Sequence, residues 1–470
     1  MKYSTCMWNT ISKSCFLFCS LLNLNTCIQA QNQDSVQIRK IYDYYLSNSR
    51  CYDNLRELCK GVGGRLSGSP EAERAVAWAK KAMLDAGADT VMLQPCMVPH
   101  WVRGKKETCE YMLNGTVKQL KSIALGSSVG TGDKGIKAGV VEVTSFEELE
   151  KLGEKGVKGK IVFYNVFFDQ KHIRTGQAYG ETVKFRGKGA SYAAKYGAVA
   201  SLVRSMSSVA DDQPHTGNMN YDTSLSKIRI PALAISYLSA DQLSKDLKTQ
   251  PGIQLYIETH CETLPDVLSY NVIGQIKGKE KPNTYILSGG HLDSWDNGEG
   301  AHDDGAGVVQ SIELLRAFKQ LGIQPVHSIR AVAFMNEENG LRGGIAYAKE
   351  AKEKGEVHIA ALETDAGGFT PRGFGVDTTA GLYRFVLNHK DLFTPYYVDH
   401  ITEGGGGADI SELDKAGVPC IGYEPDTQRY FDIHHTAADT FDKVNKRELD
   451  LGAASIGALV FLIDSHYTRK

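Results

Sequence analysis

Charge of one sign is missing from this chain, and so is any long apolar run. Lys and Arg number 53 and Asp and Glu 55, a formal net charge of −2 over 470 residues. Residues 1–30 carry Lys2, Lys13 and no acid, so the remainder stands at −2 − 2 = −4. That near balance gives no reason to expect nucleic acid or an anionic membrane as partner. The apolar stretches Cys15–Leu22 and Leu451–Ile463 are each too short to span a bilayer, and the second reads as core. No CxxC pair occurs, which excludes a zinc knuckle. No serine or cysteine stands in a recognisable nucleophile setting, and Cys420 simply follows Pro419 at the start of a buried strand. What remains is ordinary globular protein, 42% hydrophobic and 23% charged, too long for one average domain. Its 48 glycines suit many tight strand-to-helix turns.

The first 30 residues read as an export signal: lysines, a short apolar run, then Ile28-Gln29-Ala30 before a cut. The protein is therefore expected to be secreted, periplasmic or lumenal. Lipidation at Cys27 is the rival, with a poor residue, Thr26, before the cysteine. Six cysteines lie beyond the signal: Cys51, Cys59, Cys96, Cys109, Cys261 and Cys420. Their even number permits disulfides, with Cys51–Cys59 and Cys96–Cys109 the candidate bridges and buried free thiols the alternative. Asn114-Gly115-Thr116 is formally a glycosylation sequon, of use only in a eukaryotic secretory host.

Helical spacing runs from Val36 to Cys59 with a break at Asn48-Ser49, and Ser69-Pro70-Glu71 starts a helix through Leu84. Val91–Gln94 reads as a strand. From Thr116 to Cys261 short β runs (139–143, 160–164 and 230–235) alternate with turns, and the best helix is Gly187–Val203. This predicts a smaller β-rich domain, 116–262, inserted between 31–115 and 263–470 of a larger one. From Ser269 strands (272–276, 285–287, 329–334, 359–362, 420–422) alternate with helices near 305–321, 343–354, 381–387 and 446–465. The class is α/β: a mixed, mostly parallel sheet covered by helices on both faces.

Polar clusters stand at the ends of these strands. Gly290-His291-Leu292-Asp293 follows one, and His302-Asp303-Asp304-Gly305 comes shortly after it. Asn336-Glu337-Glu338-Asn339, Glu363-Thr364-Asp365, Ala408-Asp409 and His434-His435-Thr436 follow in turn. Any one acid at such a place is ordinarily a helix cap or a solvated side chain. Strand ends of one sheet converge, however, and gathered carboxylates repel unless a cation neutralises them. His291, Asp303, Glu338, Asp365 and His435 exceed the three protein ligands of one catalytic zinc. They suit two metals about 3.5–4 Å apart sharing a bridging carboxylate. Of the adjacent Glu337 and Glu338, one can ligate while its neighbour stays free as a base. Chemistry alone leaves Asp303 against Asp304 and His434 against His435 open. His302 and His215 read as surface or cleft residues rather than ligands.

The set His291-x-Asp293, Asp303-Asp304-Gly305, Glu337-Glu338, Asp365 and His435-Thr436-x-x-Asp439-Thr440 resembles the co-catalytic zinc aminopeptidase family. One branch is also similar at Trp101-x-Arg103-Gly104, Gly126-Ser127-Ser128, Arg204-Ser205 and Pro214-His215-Thr216-Gly217. The resemblance covers nearly all of the chain after the signal. It implies a zinc exopeptidase fold whose inserted, protease-associated-like domain lids the cleft. It also implies two zinc ions per chain, one on His291 and Asp365, the other on Glu338 and His435, with Asp303 bridging. Glu337 would be the general base and Asp293 would orient His291, with Asp409 and Asp439 in support. Dipeptides or short peptides with free ends would be the substrates, and the protein a homodimer. A broad aminopeptidase is the alternative. A single-zinc glutaminyl cyclase and a non-catalytic relative are the other classes, the last disfavoured because five ligands and the base are all present. Arg342, Tyr423 and Pro214–Gly217 are candidates for holding the substrate's charged ends.

Overall fold

Strands buried on both faces belong in the middle of a sheet covered on both sides. In a computed structural model describing residues 33–469, His327–Phe334 is buried at all eight positions and lies inside an eight-stranded sheet. Ile329, Ala331 and Ala333 face one hydrophobic core while Val332 and Phe334 face another, the two-residue alternation of a strand. The strand order is Thr90–Val102, Glu262–Ile276, His327–Phe334, Lys281–His291, Val357–Glu363, Cys420–Pro425, Pro371–Val376, His400–Glu403. The four central strands are mutually parallel and the remaining pairings are mixed. Helices Cys51–Gly61, Ala306–Gln320 and Lys446–His466 pack into the first core, and Arg342–Glu353 and Ser411–Lys415 cover the second. The expected α/β sheet with helices on both faces is what forms.

Between Val102 and Glu262 the chain builds a second eight-stranded sheet. Thr108–Leu113, placed with the larger part on sequence grounds, pairs in this second sheet with Gln254–Glu258. The helix expected over 187–203 runs instead over Thr175–Lys195, and Ala200–Arg204 is a wholly buried parallel strand. Gly176, Gly180 and Gly187 look like helix breakers, yet they lie on the helix where a Cβ would meet nothing. Gly197, at φ +79°, is the true stop. The strands Pro371–Val376 and His400–Glu403 were not anticipated. The export signal and the Cys27 alternative lie outside the described residues.

All six described cysteines are buried free thiols, which corrects both candidate bridges. Cys51 and Cys59 stand at opposite ends of one helix, about 12 Å apart along its axis and beyond disulfide reach. Cys96 and Cys109 belong to different cores. The C-terminal helix Lys446–His466 is long and apolar enough to cross a membrane by length and composition, and 78% of its apolar window is buried inside the protein.

Helix Ala306–Gln320 carries one buried acid in this core, Glu313, which accepts a hydrogen bond from the Tyr44 hydroxyl at 3.1 Å. Burial pushes its carboxyl up from 4.5 to about 7, against the opposing pull of Arg316. The unfolded chain ionises this group above 4.5 while the folded protein keeps the proton until about 7. Its contribution to stability is therefore full below the lower value and lost as pH rises through that window, by at most about 3 kcal/mol. Glu313→Gln should match the parent protein near pH 4.5 and melt higher than it at pH 8. Equal melting shifts at both pH values would refute the assignment.

Candidate metal centre

His291, Asp293, Glu337, Glu338 and Asp365 come from the carboxyl end of a strand or the turn after it, where ligands of open α/β sheets gather. His291 is the last residue of Lys281–His291, Asp365 comes two residues after Val357–Glu363, and Glu337-Glu338 follow His327–Phe334. Asp303 stands in a tight turn, Ala301–Gly305, that opens into helix Ala306–Gln320. His435 follows the short helix Tyr430–Ile433 in the left-handed region, at φ +60°.

These turns bring Asp303, Glu337, Glu338, Asp365 and His435 to the lining of one cavity of about 340 Å³, with His291 against Asp303 and Asp365. Asp303 lies in the middle: Oδ1 is 3.1 Å from His291 Nε2 and Oδ2 is 3.2 Å from His435 Nε2. Asp365 Oδ1 is 3.5 Å from His291 Nε2, and Glu338 Oε2 is 3.2 Å from His435 Nε2. Glu337 lines the same cavity. On the far side of each ring, His291 Nδ1 donates to the Asp293 carbonyl at 2.9 Å and His435 Nδ1 to the Thr216 carbonyl at 3.2 Å. A carbonyl only accepts, so these bonds place a proton on each Nδ1 and turn both Nε2 atoms toward Asp303.

Such a cluster is electrostatically unfinished. Asp303 Oδ2, Glu338 Oε1 and Asp365 Oδ1 are buried without a hydrogen-bond partner. Burial disfavours the imidazolium at His435, yet Glu338 and Asp303 outweigh it and carry the group up to about 10. Burial, with Asp303 adding to it, raises Glu338 to about 7, and burial with Asp365 and Glu338 raises Glu337 well above the carboxylate range. Two imidazole lone pairs and three orphaned carboxylate oxygens converging in a buried space form a donor set suited to divalent metal.

Three aspartates that do not face the cavity hold its loops by their backbone amides. Asp293 accepts from Asn336, Glu337 and Glu338 N–H at 2.7, 3.0 and 3.4 Å. Asp304 accepts from His291 and Gly307 N–H at 3.0 and 2.9 Å, and Asp439 from His302 and Asp303 N–H at 2.8 and 3.1 Å. Geometry thus separates Asp303, which faces the histidines, from Asp304, both of whose oxygens are committed. Gly290 and Gly307 have no alternative here, since a Cβ on either would strike the Asp304 carboxylate. It also revises how Asp293 acts. Its carbonyl is what touches His291, while its carboxylate, 3.9 Å from that ring, fixes the Glu337-Glu338 turn. Asp409 is buried with both oxygens unpartnered, so it supports no loop by hydrogen bonding.

His434 stacks on His435 with ring centroids 3.6 Å apart, and its Nε2 is 3.7 Å from Asp303, farther than that of His435. His302 and His215, read as surface or cleft residues, are both buried: His302 stacks on Phe369, and neither falls within a potential metal-binding group among the described residues. Tyr423 is a core residue, and Arg342 does not line the cavity. The cavity's other wall was missed. It comes from the second sheet's side of the molecule and the late helix: Tyr179, Arg186, Asn218, Tyr430 and Phe431. Arg186 carried a readable signal, an arginine on a helix face otherwise built from Ala178, Thr182, Phe185, Gly189, Ala190 and Ala193.

A family model described as Peptidase family M28 matches residues 271–460. Carboxypeptidase Q of Homo sapiens is 34% identical over 420 residues, covering 89% of this chain and 86% of that protein. The Xenopus laevis protein of the same name is 35% identical over 408 residues, 87% of this chain and 84% of its own. A solved structure described as a peptidase M28 precursor from Shewanella amazonensis superposes with TM-score 0.88 at 32% identity, covering 94% and 99% of the two chains. A zinc aminopeptidase from Bacillus subtilis shares the fold, with TM-score 0.63 at 20% identity over 88% and 93%. With relatives about one-third identical along most of both chains, the chain belongs to peptidase family M28.

Proposed function

We propose that this protein is an exported zinc metallo-exopeptidase that hydrolyses the peptide bonds of dipeptides or short peptides and works as a homodimer. The observation that carries the reading is Asp303, with one oxygen beside His291 and the other beside His435. Two zinc ions per chain would be held by His291 and Asp365 on one side and by Glu338 and His435 on the other, with Asp303 between. Bound zinc supplies Lewis-acid chemistry, polarising the peptide carbonyl and acidifying a water.

The chain's own residues do the rest. Glu337 lines the cavity beside Glu338 and Asp365 and takes the proton of the attacking water. The same carboxyl returns that proton to the departing amine. Asp293 is a positioning residue: by holding three successive amides it keeps Glu337 on the cavity side and Glu338 on the His435 side. His291 and His435 keep their Nδ1 protons on the Asp293 and Thr216 carbonyls, so the Nε2 proton that the facing carboxylates favour is the one each ring would give up to metal. Helix Lys446–His466, packed in the core, serves the fold rather than a membrane.

Metal analysis combined with a peptide panel tests the reading. About two zinc ions per chain and chelator-sensitive cleavage of dipeptides are expected. One zinc per chain with cyclisation of N-terminal glutamine would replace this function with that of a glutaminyl cyclase, and preferred removal of N-terminal residues from longer peptides would make it a broad aminopeptidase. Glu337→Gln should retain zinc while kcat falls about 10²–10⁴-fold; hydrolysis at the parent rate removes Glu337 from the mechanism. Asp293→Ala leaves buried amides unpaired at roughly 1–3 kcal/mol each. It should lower both the melting temperature and zinc content, and the positioning role is wrong if neither changes.

A further inference from the structure

Four arginines are buried among the described residues: Arg65, Arg186, Arg204 and Arg330. A guanidinium out of water needs a carboxylate or a full set of acceptors. Arg204 has Asp241 and Arg330 has Glu356. Arg65 is saturated by the carbonyls of Leu292, Glu299 and Gly300. Arg186 has neither. Its Nη2 donates to the Tyr179 hydroxyl at 2.7 Å, its Nη1 reaches the Thr216 carbonyl only at 3.4 Å, and its Nε is buried without a partner. No carboxylate among the described residues pairs with it.

This under-used cation lines the same cavity as Glu337, Glu338 and Asp365. Its Nη1 lies 3.3 Å from His435 Nδ1, one imidazole ring away from the edge that faces Asp303 and Glu338. One extended residue spans about 3.3–3.6 Å, so the guanidinium is in reach of the first carboxylate beyond the scissile bond and not of one several residues on. Glu337, Glu338 and Asp365 repel a carboxylate from their own wall, which leaves the Arg186 wall for it. Asn218 adds an amide to that wall, its Oδ1 already accepting from the Ser127 hydroxyl at 2.7 Å.

We propose that Arg186 receives the free α-carboxylate of the residue on the leaving side of the scissile bond, and so restricts this site to removal of a single C-terminal residue. The inference rests on the exopeptidase reading above. It assigns the restriction to a planar fork suited to a carboxylate, which lysine reproduces only in charge. It also gives the second sheet's part of the chain a share in specificity, since Arg186 and Asn218 are both its residues.

The experiment compares zinc-loaded wild type, Arg186→Gln and Arg186→Lys on a dipeptide and on the same dipeptide as its C-terminal amide. Zinc content and melting temperature are measured alongside, with free leucine and leucinamide as product-like probes. Wild type should prefer the free acid by about 100-fold or more, and Arg186→Gln should lose about 100-fold in kcat/KM on the acid with under about threefold change on the amide. Arg186→Lys should fall between the two in its acid-to-amide ratio. Leucine, and not leucinamide, should raise the melting temperature of wild type, and that shift should vanish in Arg186→Gln. Equal loss on acid and amide together with loss of zinc would make Arg186 only a prop for His435 and overturn the inference. Wild type that cleaves acid and amide equally overturns it without any variant. Wild type that cleaves neither overturns the exopeptidase reading itself.

Discussion

Carboxylates taken out of water repel one another, and everything around the cavity serves to keep four of them together. Asp303, Glu337, Glu338 and Asp365 face a common space with two imidazole lone pairs. Left to themselves these groups would swing apart or collect protons. They are held because the backbone beneath them cannot move. Asp293, Asp304 and Asp439 each clamp two or three amides, so that the backbone at His291, Asp303 and Glu337-Glu338 is tied to aspartates outside the cavity. The amide bonds favour the anion of each clamp, but burial outweighs them and raises Asp293, Asp304 and Asp439, the last to about 7, so the clamps add to the charge that the centre must balance.

The second sheet is part of this restraint. Thr216 exchanges two hydrogen bonds with His435, donating its N–H to the His435 carbonyl at 3.0 Å and receiving Nδ1–H at 3.2 Å. Arg103 pairs with Asp296 and reaches Thr216 Oγ1, and Trp101 donates to the Ser128 carbonyl at 2.8 Å. Gly126 lies so close to Trp295 that any side chain there would collide with the indole. The motifs around Trp101, Gly126 and Pro214, which carried no chemistry by themselves, form the joint between the two sheets. A part of the chain that orients a histidine of the centre is wall and strut at once, a closer engagement than the lid the family resemblance implied.

Much of this was legible in one dimension. A buried parallel strand announces itself as an unbroken apolar run, and a polar cluster just after it marks the carboxyl end. His291, Glu338 and Asp365 were singled out for that reason, as were the helices on both faces of the first sheet, whereas Asp303 and His435 stand in a later turn and after a short helix. Residues whose role depends on a partner far along the chain were not. The choice between Asp303 and Asp304 turns on which carboxylate meets the His291 amide. The helix over Thr175–Lys195 was hidden by glycines that local rules treat as breakers and that packing leaves unopposed.

The residue types and their order alone determined the α/β class and the family, and narrowed the candidate metal ligands to a few polar clusters, because strand ends in such a sheet must converge. Only the tertiary structure decided which atom of Asp293 touches His291, that the cysteines stay apart, and that Arg186 lines the cavity of Glu337 with no carboxylate paired to it. Each of those depends on distance between segments remote in sequence, and a linear pattern carries periodicity without carrying distance.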